Sequence, residues 1–222
     1  KRARRQTRKS SGIPDEVTPI EVGKLRLDPD NPRLAEHGVE PGATQAALIQ
    51  ALWSRMAVDE VALSIAHNGY FKHEPLLVEK SGARYTVIEG NRRLAAITLL
   101  LDDDMRQKLR ATNLPDIDQI DRGRRQELQV IPCVVTTREA VWRYLGFKHV
   151  NGPSTWGSYS KAQYIAQVHN DYAVSLEDIA KQIGDTHSTV ERLYRGLMVI
   201  EQAESEGVFK RSNSYRKFGF SH

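Results

Sequence analysis

The stretch Tyr85-Thr86-Val87-Ile88-Glu89-Gly90-Asn91-Arg92-Arg93-Leu94-Ala95-Ala96 changes its period in mid-course. Tyr85, Val87 and Glu89 alternate onto one face, as in a strand over 84–89. From Leu94 to Leu101 the chain is almost wholly apolar, which fits a buried helix and falls far short of the roughly 20 residues of a membrane span. Between the two, a glycine turns the chain and a helix opens on two arginines. A helix N-terminus presents unpaired N–H groups and a partial positive charge, so it suits an anion. Arg92 and Arg93 add guanidinium forks matched to phosphate oxygens. Gly90 lets an anion approach the backbone, and Glu89 is placed to hold an arginine or to ligate a metal. The bland alternative is a strand-to-helix turn with surface arginines. The spacing is neither a Walker loop nor a G-x-G-x-x-G fingerprint.

Outward from this element, Ile20–Leu27 alternates like a short strand and ends at Asp28-Pro29-Asp30-Asn31-Pro32, a turn by composition. Helices are expected over 44–56 and 59–67, the second capped by Asp59 and stopped by Asn68-Gly69. Glu74–Glu79 reads as a strand, Lys80-Ser81-Gly82 as a turn, 105–111 as a polar helix and Ile131–Val135 as a further strand. A helix follows over 139–148. After Asn151-Gly152-Pro153 the pattern is helical throughout: 160–172, 176–183 and 188–202. The predicted organisation is a basic arm over 1–18, a mixed α/β domain over 19–150 and an all-helical domain over 151–222, an α+β chain with no internal repeats.

The chain has 222 residues and a formal net charge of +4. That length buries a core without staples, and the charge is a mild invitation to nucleic acid. Lys1, Arg2, Arg4, Arg5, Arg8 and Lys9 concentrate the positive charge at the start, where such runs are usually disordered arms. The basic start has no apolar stretch behind it, so no signal peptide is read. The one cysteine, Cys133, cannot form an internal disulfide, and a reducing, cytoplasmic setting is expected. The chain does not begin with Met and stops at His222, so further domains are expected beyond it.

The ordered succession Leu27-Asp28-Pro29-Asp30-Asn31-Pro32-Arg33, Asn68-Gly69-Tyr70 with Pro75-Leu76-Leu77-Val78, Tyr85 to Ala96, and Ile131-Pro132-Cys133-Val134-Val135 resembles the N-terminal domain of the ParB family. That family has the ParB/sulfiredoxin fold. The resemblance implies a small mixed-sheet domain followed by an all-α helix-turn-helix domain. It also implies a nucleoside triphosphate with Mg²⁺, CTP or ATP, held at Gly90, Asn91, Arg92 and Arg93. Asn91 stands where the family usually has an acidic residue. Asn31 and Arg33, and the turn at Gly69, would flank base and sugar. The family's Glu-Asn-x-x-Arg stretch falls near Lys148-His149-Val150-Asn151, where the glutamate is missing. There Lys148, His149 and Asn151 substitute as cation, donor and metal-side oxygen, with Glu89 and Asn151 toward the metal. The alternative is that His149 and Trp156 only pack a joint. In the sulfiredoxin branch the reactive cysteine would fall at Asn91, and Cys133 lies in an apolar strand, so sulfinic-acid reduction is set aside.

Leu176 to Leu193 carries helix-turn-helix spacing: small Ala180 at the crossing, Gly184 at the turn, Val190 and Leu193 facing inward, Ser175 as cap. In such a motif the second helix offers its first residues to base edges, here His187, Ser188, Thr189 and Arg192. Tyr194, Arg195, Lys181 and Lys161 are expected at phosphates, and Glu191 is expected to pair with Arg195. The alternative is an αα-hairpin that only packs. The resemblance implies double-stranded DNA, a homodimer closed by nucleotide and a partner ATPase, with no membrane. The setting it implies is cytoplasmic, at nucleoid or plasmid, in partition, regulation or mobile-element defence. A competing reading is an Mg²⁺-dependent DNase or ATPase using Glu89, Asp28 and Asp30. Asp102–Asp104 lie about 15 Å from the arginines at about 1.5 Å rise per residue and read as a solvated helix end. A third reading is an interaction adaptor whose fold has lost its ligand.

Overall fold

The computed structural model describes residues 13–35, 38–40, 42–111, 114, 120–151 and 156–208. The basic residues at the start of the expected arm lie outside them. Five strands, β1 (Thr18–Glu21), β2 (Leu25–Leu27), β3 (Leu76–Ser81), β4 (Arg84–Glu89) and β5 (Val130–Thr136), form one mixed sheet in the order β1-β5-β3-β4-β2. The β1–β5 and β3–β4 pairs are antiparallel, and β3–β5 and β2–β4 are parallel.

The single strand expected over 20–27 is two strands on opposite edges of this sheet, joined by a 3₁₀ turn at Val22–Lys24. Five flat strands would hold those edges about 19 Å apart, at about 4.8 Å per neighbour. The four steps from Glu21 to Leu25 reach at most about 14 Å. The sheet therefore curls until the turn can bridge its edges. Val22 N–H donates to the Gln129 carbonyl at 2.9 Å and ties the turn to the start of β5. Ile20 and Val22 fall at even positions and Leu25 and Leu27 at odd ones, so a slip in the apolar alternation at Lys24 is the sequence sign of the break.

The helices are α1 (Pro32–Ala35), α2 (Gln45–Arg55), α3 (Val58–Asn68), α4 (Asn91–Leu101), α5 (Asp103–Leu109), α6 (Arg122–Glu127), α7 (Arg138–Gly146), α8 (Ser158–Tyr172), α9 (Leu176–Ile183) and α10 (His187–Ser205). A π-helical turn, Phe147–Asn151, follows α7. Strands β3, β4 and β5 divide their side chains between two cores. Leu76, Val78, Val87, Ile131 and Cys133 pack with Leu48 and Leu52 of α2, Ile65 of α3 and Leu94, Ile97 and Leu100 of α4. Leu77, Ile88 and Val134 join the other core, with Val141 and Trp142 of α7, Ile165 of α8, Ile179 and Ile183 of α9 and Val190 and Leu193 of α10. The all-apolar run of α4 is explained by its burial between the sheet, α2 and α3.

Asp59 does not cap α3. Ala57 takes the cap position at φ +45°, and Asp59 falls inside the first turn. Val58, fully buried, starts the helix two residues earlier than a cap at Asp59 would. Helices α1 and α6 lie where no apolar period marks a helix.

Gly146 ends α7 where it meets α9. A Cβ there would stand 2.5 Å from Ile183 Cγ2. Gly146→Val is expected to lower the unfolding free energy by about 2 kcal/mol through overpacking, read from the urea midpoint. An unchanged midpoint would contradict the close α7–α9 approach.

Candidate functional site

β4 ends at Glu89, and Gly90 turns the chain at φ +101° as the cap of α4. A Cβ at this position would lie 2.4 Å from Leu76 Cδ2 and 3.0 Å from Arg93 Nη2. Glycine is thus required by conformation and by space. Asn91 points inward and is buried. Its Nδ2 donates to the Val87 carbonyl at 2.8 Å, and its Oδ1 accepts the Asp28 N–H at 3.0 Å. This side chain stitches the end of β2 to the start of α4, which leaves its backbone N–H for any anion at the helix end.

The two arginines are held by neighbours from earlier in the chain. Arg92 Nη2 donates to the Ala57 carbonyl at 3.0 Å, and its Nε is buried with no partner among the described residues. Arg93 donates to the Tyr70 hydroxyl at 2.9 Å and to the Glu74 carbonyl. Tyr70 in turn donates to that carbonyl at 2.7 Å. Gly69, one residue earlier, caps α3 at φ +81° against Arg124 and does not line the cavity described below.

Glu89 meets two basic side chains from the π turn: Lys148 Nζ at 2.8 Å and His149 Nε2 at 2.8 Å. Burial works against the carboxylate, but the His149 hydrogen bond and charge, joined by Lys148, outweigh it and pull Glu89 down to about 2. His149 is buried and stacks on Trp156 at 4.6 Å with 5° between the rings. The Asn151 side chain lies outside the described residues. A second buried pair sits nearby: Asp28, 1% exposed, is ion-paired with Arg138. Arg138 also faces Glu79, whose Oε1 accepts the Arg138 N–H at 3.1 Å.

These pieces surround one cavity of about 200 Å³. Asn31, Arg33, Glu89, Gly90, Asn91, Arg92, Arg93, Lys148 and His149, all expected from the sequence, line it. Asp28, Arg138, Trp156 and Tyr172 line it as well. No local signal marks Arg138 as a site residue, because it lies 110 positions from Asp28. Arg33, Arg92, Arg93, Arg138 and Lys148 line the cavity around the Gly90–Arg93 loop, so it suits an anion rich in oxygen. Cys133 is buried, and burial pushes its thiol up to about 12, as befits an inert core residue.

In the helix pair, Ser175 Oγ accepts the Asp178 N–H at 3.1 Å to cap α9, and Gly184, φ +77°, closes it. Thr186 caps α10 through Thr189 N–H. Ala180, Val190 and Leu193 are buried. His187, Ser188 and Arg192 are exposed at the start of α10, whereas Thr189 is half-buried and bonded to Thr186. Arg195 pairs with Glu191 at 2.7 Å, and Lys181 with Glu177 at 2.6 Å. Tyr194 packs on His169 and donates to Asn170 Oδ1 at 3.3 Å. Lys161 lies in the first turns of α8, half-buried.

Glu89 sits at about 2 when folded against its ordinary 4.5. Its ion pairs thus contribute fully above about pH 4.5 and are lost as pH falls toward 2, a contribution of about 3 kcal/mol. The stability difference between wild type and Glu89→Gln, from urea unfolding at pH 7 and pH 3, is expected to shrink at the lower pH. A pH-independent difference would contradict the paired carboxylate.

No family model matches the chain. It is 21% identical over 196 residues to the probable chromosome-partitioning protein ParB of Borreliella burgdorferi, covering 88% of this chain and 58% of that protein. The chain thus spans less than two thirds of that relative's length. Two solved structures of the C-terminally truncated ParB from Caulobacter crescentus are also similar. One, complexed to the centromeric parS site, gives a TM-score of 0.42 at 14% identity, covering 89% of this chain and 82% of that one. The other, complexed with CTP-γ-S, gives 0.32 at 17% identity, covering 90% of each. Over most of its length the chain is similar to ParB, the family that its motif order resembles.

Proposed function

We propose that the chain is a ParB-like, nucleotide-dependent DNA-binding protein. In this reading a nucleoside triphosphate, CTP or ATP, is held at the Gly90–Arg93 loop, and α9–α10 dock on double-stranded DNA. The observation that supports it best is the Gly90 turn, which opens a helix N-terminus onto a cavity edged by Arg92, Arg93, Lys148 and His149. Oriented N–H groups and cationic side chains in one place are what binding of successive phosphates requires. Asn31 and Arg33 line the same cavity and are assigned to sugar and base. The resemblance of motif order, and the similarity to ParB of Borreliella burgdorferi over 88% of the chain, support the same reading.

The cavity residues fit a triphosphate better than they fit a protein-held metal. The buried carboxylates lining it, Asp28 and Glu89, are both ion-paired. Mg²⁺ takes most of its ligands from phosphate oxygens and water, with one or two carboxylates at most. In this reading Mg²⁺ rides on the phosphates, and the protein neutralises their charge with Arg92, Arg93 and Lys148. Neither buried carboxylate is free to activate water, so the reading is one of binding. Partners follow as duplex DNA, a second copy of the chain and a partner ATPase. Among the described residues no helix is long and apolar enough to cross a membrane.

Calorimetry with CTP and with ATP, each with Mg²⁺, tests the site. One nucleotide is expected to bind wild type, and Arg92→Ala to bind it roughly tenfold or more weakly, since charge-assisted bonds are lost. Equal affinity in the variant would remove the loop from the site. For DNA, Arg192→Ala is expected to weaken duplex binding roughly tenfold by anisotropy at fixed salt. Binding that is unaffected would leave α9–α10 as a packing motif.

A further inference from the structure

We propose that Lys148 takes the place of a divalent cation at the triphosphate, so that the chain binds the metal-free nucleotide. The proposal rests on the nucleotide reading above and names the form of ligand that the site takes. There Mg²⁺ has no ligand from the protein; here it is dispensable for binding.

A site that shares Mg²⁺ with a nucleotide usually offers it one or two carboxylates. This cavity has none to give beside the Gly90–Arg93 loop. Both oxygens of Glu89 are taken, Oε1 by Lys148 Nζ and Oε2 by His149 Nε2, each at 2.8 Å. Asp28 is 1% exposed and ion-paired with Arg138. Glu74 also lines the cavity, and its carboxylate faces Arg93 at 3.7 Å. Among the described residues no three His, Cys, Asp or Glu side chains come together to hold a metal ion. A divalent cation at Glu89 would have to displace the ammonium. The residues present therefore do not fit a protein-held Mg²⁺.

They do supply the charge that the metal would bring. Lys148 lines the cavity and keeps 27% of its side chain exposed. An ammonium carries three N–H donors. Glu89 accepts from one of them, and no second acceptor stands by it among the described residues. Arg93 and Lys148 carry like charges close enough to oppose one another. Cations gathered in one cleft favour an anion bound by all of them. Arg33, Arg92 and Arg138 line the same cavity. A metal-free triphosphate is more negative than its Mg²⁺ complex, so fixed cations with no free carboxylate among them hold it at least as well.

Calorimetry with CTP and with ATP is run on wild type, Lys148→Ala and Lys148→Arg, each with Mg²⁺ and with excess EDTA. Wild type is expected to bind its nucleotide no more weakly in EDTA than with Mg²⁺. Lys148→Ala is expected to lose about tenfold in EDTA, the worth of one charge-assisted bond, and to regain most of it with Mg²⁺. Lys148→Arg keeps the charge and is expected to stay independent of the metal. His149 still bonds Glu89 in both variants, and circular dichroism checks that each is folded; the wild-type comparison needs neither. Wild-type affinity that falls about tenfold or more on chelation overturns the proposal and leaves the nucleotide reading standing. A Lys148→Ala protein that loses as much with Mg²⁺ as without it, or loses nothing, overturns the part given to Lys148. Wild type that binds neither nucleotide in either buffer overturns the nucleotide reading, and this proposal with it.

Discussion

Glu89 is a carboxylate largely withdrawn from water, and the fold holds it by bringing Lys148 and His149 to it. A buried charge left alone is costly, and removing one partner of a buried pair typically costs about 3–5 kcal/mol. Lys148 and His149 supply the answer from 59 and 60 positions along the chain. Their meeting clamps the π turn against the β4–α4 loop. Because the π turn continues α7, it also seats α7 on the second face of the sheet, where Leu77, Ile88 and Val134 wait. Gly146 then brings α7 close to Ile183 of α9. One ion-pair cluster thus connects the Gly90–Arg93 loop, the sheet and the first helix of the helix pair. Its net energy is modest beside an apolar substitute of similar volume.

The same chemistry sets the character of the cavity. Asp28 is satisfied by Arg138 and Glu89 by the π turn, so the buried acids are neutralised from within. What remains facing the loop is cationic and rich in donors. Burial opposes the charge of Lys148, yet Glu89 outweighs it and keeps the ammonium protonated. The strained backbone at Ala57, φ +45°, belongs to this setting too, for its carbonyl accepts from Arg92.

Much of this was legible in the residue pattern. The β4–Gly90–α4 element declares itself by a switch from period two to a continuous apolar run. The α9–α10 pair declares itself by Ser175, Ala180, Gly184 and Val190, whose roles are local. What escaped is of two kinds. The strand break at Val22–Lys24 leaves only a one-residue slip in alternation, from Ile20 and Val22 to Leu25 and Leu27, inside a stretch short enough to read as one strand. The partners of Asp28 and Glu89, and the bond from the Asp28 N–H to Asn91, depend on contacts across 59 to 110 positions that no local period encodes. Arg138 and Trp156 become site residues only once the sheet curls and α7 is seated.

The most direct measurement is a crystal structure of the protein with tripolyphosphate and Mg²⁺. Phosphate density is expected against the α4 N-terminus, in contact with Arg92 and next to the Glu89–His149 pair. Phosphates bound elsewhere, with the Gly90 turn and its arginines unoccupied, would contradict the assignment of this cavity as the nucleotide site.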